Sequence, residues 1–217
     1  MSWWKRLWKG PTDSSSEQLQ LVHLNMQGWN DEGVRGEMRG WRDGQGDFLS
    51  LVLTSEFLGL PPLSDEVALR NSFRHIAESR GGGLIEVLVR TGALGATASL
   101  VYKRLLKPTY VFTGMLFVPG VQPSQVWTVV AQEYGTTGVR EAIITAELFN
   151  EGSLTIEDYE HAWAKDPYDP GYHAVDRSAL RFVSDDESYD ERFPEHPLSK
   201  VRRILAALPS SVHIGDP

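Results

Sequence analysis

Apolar residues recur along the chain with two different periods, one typical of strands and one typical of helices. Short segments rich in Val, Ile, Leu, Phe, Tyr and Thr predict strands. They lie at residues 19–24, 48–53, 84–90, 98–107, 110–118 and 126–133. The glycines that punctuate residues 28–46 predict a loop or a loosely held hairpin.

Three other segments show apolar residues at helical spacing behind a start signal. Ser64-Asp65-Glu66 provides a capping side chain and first-turn acids for the first helix, which we expect to end at Gly81. Gly138 precedes the second helix, and Pro197 begins the last one. The residues expected to face the core are Leu69, Phe73, Ile76 and Ala77, then Val139, Ile143, Ala146 and Phe149, then Leu198, Val201, Leu205 and Leu208.

The last helix is expected to end at Pro209, with Arg202 and Arg203 facing solvent. A shorter helix is expected to begin at Thr155, because Thr155 and Asp158 have the spacing of a capping box.

The elements follow one another as strands, a helix, several consecutive strands and then helices. This order is typical of α+β proteins and not of alternating βαβ units. We therefore predict a single α+β domain in which helices cover one antiparallel β-sheet. Because Pro11 to Glu17 is a polar, Ser-rich connector, we place a boundary after it. Residues 1–17 would form a Trp-rich basic tip with a flexible linker, and residues 18–217 the domain.

Composition and charge narrow the classes of function. The chain has 21 Lys and Arg against 29 Asp and Glu, and its net charge of −8 argues against nucleic-acid binding. It has no Cys, which excludes disulfides, Cys-ligated zinc or iron–sulfur sites and thiol nucleophiles. No apolar run reaches the roughly 20 residues of a membrane-spanning helix. The N-terminal residues lack the apolar core of a secretory signal, and we therefore expect a cytoplasmic protein.

The tip carries a concentrated positive charge. Residues 1–10 have a charge of +3, residues 11–150 of −4 and residues 151–217 of −7. On a helix, the apolar tip residues share one stripe flanked by cations, which suits an anionic membrane surface or a hydrophobic groove of a partner. Packing of the tip on its own acidic domain is a third interpretation of equal weight. The candidate docking residues are Trp3, Trp4, Lys5, Arg6, Leu7, Trp8 and Lys9.

The segment from Tyr110 to Arg140 contains YVFTGMLFVP and QVWTVVAQEYGTTGVR. Together with the closing amphipathic helix, it resembles the PsbP-like family. The resemblance covers residues 47–209 as an order of elements. It implies an α/β/α sandwich, with helices on both faces of an antiparallel sheet. It also implies a non-catalytic partner protein, since that family includes photosystem accessory proteins and a binder of a nuclear transport GTPase.

The sequence has no Walker loop, no Gly-x-Ser-x-Gly elbow and no His-Glu-x-x-His helix. Its best cluster of candidate ligands combines two imidazoles with three carboxylates, which suits a divalent cation or an acid–base pair. A solvated acidic loop explains the same residues, and we favour that interpretation. The acids between residues 185 and 196 likewise indicate either calcium binding or, as we favour, a solvated face. The cluster comprises His161, Asp166, Asp169, His173 and Asp176.

Two basic features are candidates for contact with an anion or with a partner carboxylate. Arg140 lies at a helix start, where an ordinary local ion pair is the alternative. Lys103, Arg104 and Lys107 form a basic hairpin tip beside tyrosines, and protection of a sheet edge against aggregation is the alternative.

The absent signatures and the tip favour a non-catalytic binding or accessory protein that docks on a membrane surface or a partner protein through residues 3–9. We expect no cofactor, and the sequence leaves the oligomeric state open. Two alternatives remain. One is a metal-dependent hydrolase that uses the loop from His161 to Asp176, and the other is an acidic immunity protein that neutralises a basic toxin.

Overall fold

The computed structural model describes residues 13–54, 59–92, 94–120, 123–157, 159, 163–172 and 179–214. Its main helices are α1 (Asp13–Gln20), α2 (Glu66–Ser79), α3 (Val139–Asn150) and α4 (Pro197–Ser211). Two short 3₁₀ helices cover Val183–Asp185 and Glu187–Tyr189. None of the helices in the described ranges has the length and apolar character that crossing a membrane requires.

One antiparallel sheet of seven strands organises the molecule, which confirms the predicted α+β class. Its strands lie in the order β2-β3-β4-β8-β7-β6-β5. They are β2 (Trp29–Arg35), β3 (Met38–Asp43), β4 (Phe48–Thr54), β5 (Gly83–Gly92), β6 (Gly95–Leu106), β7 (Thr109–Val118) and β8 (Ser124–Gln132). Of the shorter strands, β1 (Val22–Leu24) pairs with β11 (Val212–Ile214), and β9 (Ala164–Lys165) pairs with β10 (Arg181–Phe182).

The first face of the sheet is covered by α1 and α4. Because successive side chains of a strand point to opposite faces, alternate residues of the central strands form one apolar layer. Trp41 and Trp127 stack in this layer with ring centroids 5.6 Å apart. Leu198, Val201, Leu205 and Leu208 of α4 are buried against it, as the helical spacing predicts.

The second face is covered by α2, which completes the sandwich. Leu69, Phe73 and Ala77 are fully buried against the strands, and Phe73 stacks on Phe117 at 5.2 Å. The helix begins where the sequence predicts, because the Asp65 carboxylate accepts the N–H of Ala68 at 3.0 Å and so caps the first turn.

Several expectations about the ends of elements are wrong. Residues 13–20 form α1, where we expected a flexible connector and a strand, because Leu19 is buried in the core of the first face. This helix spans residue 17, and the domain boundary that we placed there stays a prediction. Residues 29–43 form a paired hairpin rather than a loose one. Finally, α4 continues through Pro209 to Ser211, although proline removes one hydrogen bond from the helix.

Helix α4 approaches β7 closely at Gly114. A Cβ built on Gly114 would lie 2.6 Å from Cγ1 of Val201 and 2.7 Å from Cδ1 of Leu205, so a larger residue would push the helix outward. This close approach fixes the start of α4 over the sheet. There the His196 ring packs edge-on against Phe112 of β7, with centroids 5.2 Å apart.

Candidate functional site

A cleft of about 620 Å³ opens where the end of β8, the start of α3 and the start of α4 meet. These three elements are distant in sequence and are brought together by the packing of α4 on the sheet. Charged and apolar side chains share the lining, which includes Gln45, Glu133, Tyr134, Val139, His196 and Lys200. A cleft with a lining of mixed character therefore lies at this end of the molecule.

Three titratable side chains meet beside the cleft, and each comes from a different element. Glu133 follows the last residue of β8, Glu141 lies in the first turn of α3, and His196 caps α4. His196 Nε2 lies 3.6 Å from Oε1 of Glu133 and 3.8 Å from Oε1 of Glu141. The side chains of Glu133 and His196 are each 7% exposed, and that of Glu141 is 15% exposed. We call these residues the Glu–Glu–His cluster.

The two carboxyl groups of the cluster have different electrostatic surroundings. Burial alone would raise the pKa of Glu133, but His196 and the N–H of Gly138, which Oε1 accepts at 2.9 Å, outweigh it and lower the pKa. Burial raises the pKa of Glu141, and neither His196 nor its own backbone N–H compensates for it. The cluster therefore holds one carboxyl group that favours the charged form and one that resists it.

A network of buried charges lies beneath the cleft. Lys103 donates to Oδ2 of Asp185 at 2.5 Å, and both side chains are fully buried. Arg140 is 1% exposed and donates to Asp190, Ser199 and the carbonyls of the segment 184–186. Lys103 and Arg140 are therefore structural, and the expectation that they contact an anion or a partner is wrong.

The same network corrects our interpretation of the acids between residues 185 and 196. Arg202 donates to Oε2 of Glu86 at 2.9 Å and to Oδ1 of Asp190 at 3.0 Å. Arg202 thus faces inward, whereas we expected it to face solvent. Asp185 and Asp190 neutralise buried cations, and so they are neither a solvated face nor a calcium site.

The loop with two His and three Asp residues is only partly within the described residues, because His161, His173 and Asp176 lie outside them. Both oxygens of Asp166 accept from Arg74, at 2.8 Å each, and Oδ1 also accepts the N–H groups of Tyr168 and Asp169. Asp169 is exposed and accepts the N–H of Gly171. With these hydrogen bonds Asp166 holds its loop against α2, a structural role that the ligand hypothesis did not include.

The remaining basic candidates stay predictions. Arg104 is half-buried and Lys107 is exposed beside the turn between β6 and β7, so both positions are accessible to a partner. The docking residues Trp3 to Lys9 lie outside the described residues.

Helix α3 presents apolar side chains to solvent, which is the reverse of our expectation. Its buried residues are Arg140 and Ile144, because the Arg140 network pulls that side of the helix inward. Val139, Ile143 and Phe149 are between 37% and 41% exposed. Tyr159 is 41% exposed, and its ring lies 5.9 Å from that of Phe149. We call Val139, Ile143, Phe149 and Tyr159 the α3 patch.

Sequence analysis missed the Glu–Glu–His cluster and the α3 patch for different reasons. The cluster joins residues that no spacing rule connects, although Glu133 at a strand end and His196 before Pro197 were each visible as polar residues at element boundaries. The patch was recognised as an apolar stripe, but its direction depends on which side of α3 meets the buried charges.

Comparison with known proteins finds a structural similarity and no family match. No family model and no curated protein matches the chain. Among solved structures, the chain is similar to the Ran-binding protein Mog1p of Saccharomyces cerevisiae, with a TM-score of 0.43. The two share 10% sequence identity, and the similarity covers 90% of this chain and 91% of that chain.

Proposed function

We propose that this protein is a non-catalytic binding protein that docks a basic, apolar segment of a partner protein. The observation that supports the proposal is the α3 patch. An amphipathic helix normally turns its apolar stripe toward the core. Here the stripe faces solvent beside an open cleft, and such grouped apolar exposure is typical of interaction sites.

The aromatic part of the α3 patch packs against rings in the interior of the molecule. Tyr159 lies 5.4 Å from Trp163, and Trp163 stacks on Phe182 at 6.0 Å. Trp163 is 6% exposed and so belongs to the buried part of the molecule. Because the buried Trp163 ring restrains Tyr159, and Tyr159 in turn packs against Phe149, these side chains lose less conformational entropy on binding than free ones, which is a property of interface anchors.

The charge around the patch indicates the chemistry of the partner. Glu151 and Glu157 are exposed near it, and Glu147 is 40% exposed in an ion pair with Arg192. Arg140, by contrast, is buried. A segment with Lys or Arg beside apolar anchors is therefore complementary, whereas an acidic segment would be repelled.

Comparative affinity capture tests this proposal. Lysate is passed over the wild-type chain, over Ile143→Glu and over Val67→Glu, a control that places the same charge on α2 at a position 67% exposed. We expect a protein that wild type and Val67→Glu retain and Ile143→Glu loses. That protein, once purified, should bind Ile143→Glu about tenfold more weakly or worse, or roughly 1.4 kcal/mol.

Identical captured proteins for all three chains would contradict the proposal. A basic nuclease as the captured partner would make the protein an immunity protein, which is one form of the same function.

We further propose residues 3–9 as a second docking element, for a membrane surface or a partner protein. Three Trp and three cations within these residues support it. Trp favours the boundary between apolar and wet surroundings, and each Lys or Arg near an anionic surface contributes about 1 kcal/mol.

Cosedimentation with vesicles separates the two kinds of surface. The full chain and a chain without residues 1–10 are mixed with neutral and with phosphatidylserine-containing vesicles at low and high salt. Binding to anionic vesicles that is lost with salt and with the deletion is the result expected for a membrane surface. If neither chain binds either vesicle, the membrane is eliminated as the docking surface of the tip.

A further inference from the structure

We propose that Glu133, Glu141 and His196 bind a first-row divalent transition-metal cation, best satisfied by Zn²⁺, with an open coordination position toward the cleft. The site would be independent of the α3 patch, since it uses none of the patch residues.

The distances within the Glu–Glu–His cluster suit one ion. One ligand atom from each residue can be chosen so that the three lie within 4.8 Å of one another, and Nε2 of His196 is 3.6 Å and 3.8 Å from the two Oε1 atoms. Zn²⁺ binds imidazole nitrogen and carboxylate oxygen at about 2.0 to 2.2 Å, which in a tetrahedral site places the ligand atoms roughly 3.4 Å apart. The two His196–carboxylate distances therefore need to contract by only a few tenths of an ångström, and the two carboxylate oxygens need to approach each other by at most about 1.4 Å.

The hydrogen bonding of the cluster is incomplete, because each of its three side chains holds one buried polar atom without a partner in the described residues. Oε2 of Glu133, Oε2 of Glu141 and Nε2 of His196 are all buried without a hydrogen-bond partner among the described residues. Neither Glu forms an ion pair with a Lys or Arg in the described ranges, and His196 is the cation candidate within 4 Å of both. Buried polar atoms are almost always satisfied, and carboxylates taken out of water need a counter-charge. A divalent cation supplies both.

The ligand set selects the kind of metal. An imidazole with two carboxylates suits Zn²⁺, Mn²⁺ or Fe²⁺, whereas Mg²⁺ and Ca²⁺ prefer oxygen ligands alone. Glu133 is already oriented by the N–H of Gly138, and His196 by its packing on Phe112. Such fixed orientation of the ligands strengthens metal binding. Both Glu133 and His196 line the cleft, so an ion has a path from solvent and a place for a water ligand.

Metal binding requires one change in the imidazole. Nδ1 of His196 accepts the N–H of Leu198 at 3.3 Å, which requires a ring that carries no proton on Nδ1. With a cation on Nε2, the proton is carried on Nδ1 and the bond from Leu198 is given up. That bond is longer than a well-formed N–H hydrogen bond, so losing it costs less free energy than losing a shorter one.

Titration calorimetry and thermal unfolding test the proposal on tag-free full-length protein freed of metal by a chelator. ZnCl₂ is the probe, and MgCl₂ is the comparison. We expect one Zn²⁺ per chain, an unfolding midpoint that rises with Zn²⁺ concentration, and little response to Mg²⁺. Glu133→Gln, Glu141→Gln and His196→Asn should each weaken Zn²⁺ binding by about tenfold or more.

His196→Asn is chosen because an Asn oxygen can still accept the N–H of Leu198 and cap α4. His75→Asn, which removes a His side chain that is 85% exposed, is the matched control and should bind Zn²⁺ as wild type does. In ¹H–¹⁵N spectra, Zn²⁺ should shift the His196 Nε2 signal. The proposal is overturned if the folded protein takes up no Zn²⁺ at micromolar concentration, or if uptake persists unchanged in both Glu133→Gln and His196→Asn.

Discussion

At the scale of single residues, the tertiary environment of Lys103 gives this side chain a structural role that its position in the sequence does not predict. In sequence it belongs to a basic hairpin tip, yet its ammonium group is fully buried, paired with Asp185 and 3.1 Å from the centre of the Phe182 ring. Burial lowers the pKa of Lys103, while the charge of Asp185 opposes that shift. A buried pair of this kind contributes specificity more than net stability, because desolvation offsets much of the attraction.

Lys103→Met tests this account. Among the described residues, the substitution leaves the buried Asp185 carboxylate with the N–H of Phe182, at 2.7 Å, as its remaining hydrogen-bond donor. We expect the free energy of unfolding to fall by about 3 to 5 kcal/mol, measured by urea denaturation. The double variant Lys103→Met with Asp185→Asn should recover much of that loss, since no unpaired charge remains. Equal losses in the single and double variants would contradict the account.

At the scale of elements, the loop 163–172 is fastened to α2 and β5 by polar contacts. Asp166 and Arg74 form a double hydrogen bond across 92 positions of sequence. The Tyr168 hydroxyl accepts the N–H of Val87 at 2.7 Å and donates to its carbonyl at 3.2 Å. Burial would raise the pKa of Asp166, but Arg74 and the N–H groups of Tyr168 and Asp169 outweigh it and hold the pKa below its usual value.

The lowered pKa predicts a specific acid response. The pKa of Asp166 in the folded state lies below its unfolded value of about 3.9. The ionised carboxylate therefore contributes to the free energy of unfolding at pH values above about 3.9, and this contribution is lost as the pH falls through the folded-state pKa. Asp166→Asn should therefore lower the free energy of unfolding by about 2 to 3 kcal/mol at pH 7, and by progressively less below about pH 4. Urea unfolding between pH 7 and pH 3 measures the difference. Asp169→Asn, at an exposed position, is the control and should change the free energy of unfolding little. If the difference in that free energy between wild type and Asp166→Asn stays constant from pH 7 to pH 3, the prediction is wrong.

At the scale of the whole molecule, the sheet and its two helical layers bring distant residues to one end. The Arg140 network turns the apolar stripe of α3 outward, and the packing of α4 on the sheet places His196 beside Glu133 and Glu141. The cleft, the Glu–Glu–His cluster and the α3 patch are thus neighbours because of packing. Binding of a partner and binding of a cation are both proposed at this end.

The sequence by itself determined helices α2, α3 and α4, strands β4 to β8, the α+β class and the classes of chemistry that a chain without Cys excludes. These features depend on local periodicity and composition, and so α2 and the long strands β4 to β8 lie within a few residues of their expected positions. Only the tertiary structure decided that Lys103 and Arg140 are buried, that α3 exposes its apolar stripe, and that Glu133 meets His196. Each of these depends on contacts between residues tens of positions apart, whose pairing is set by how layers pack and not by any spacing along the chain.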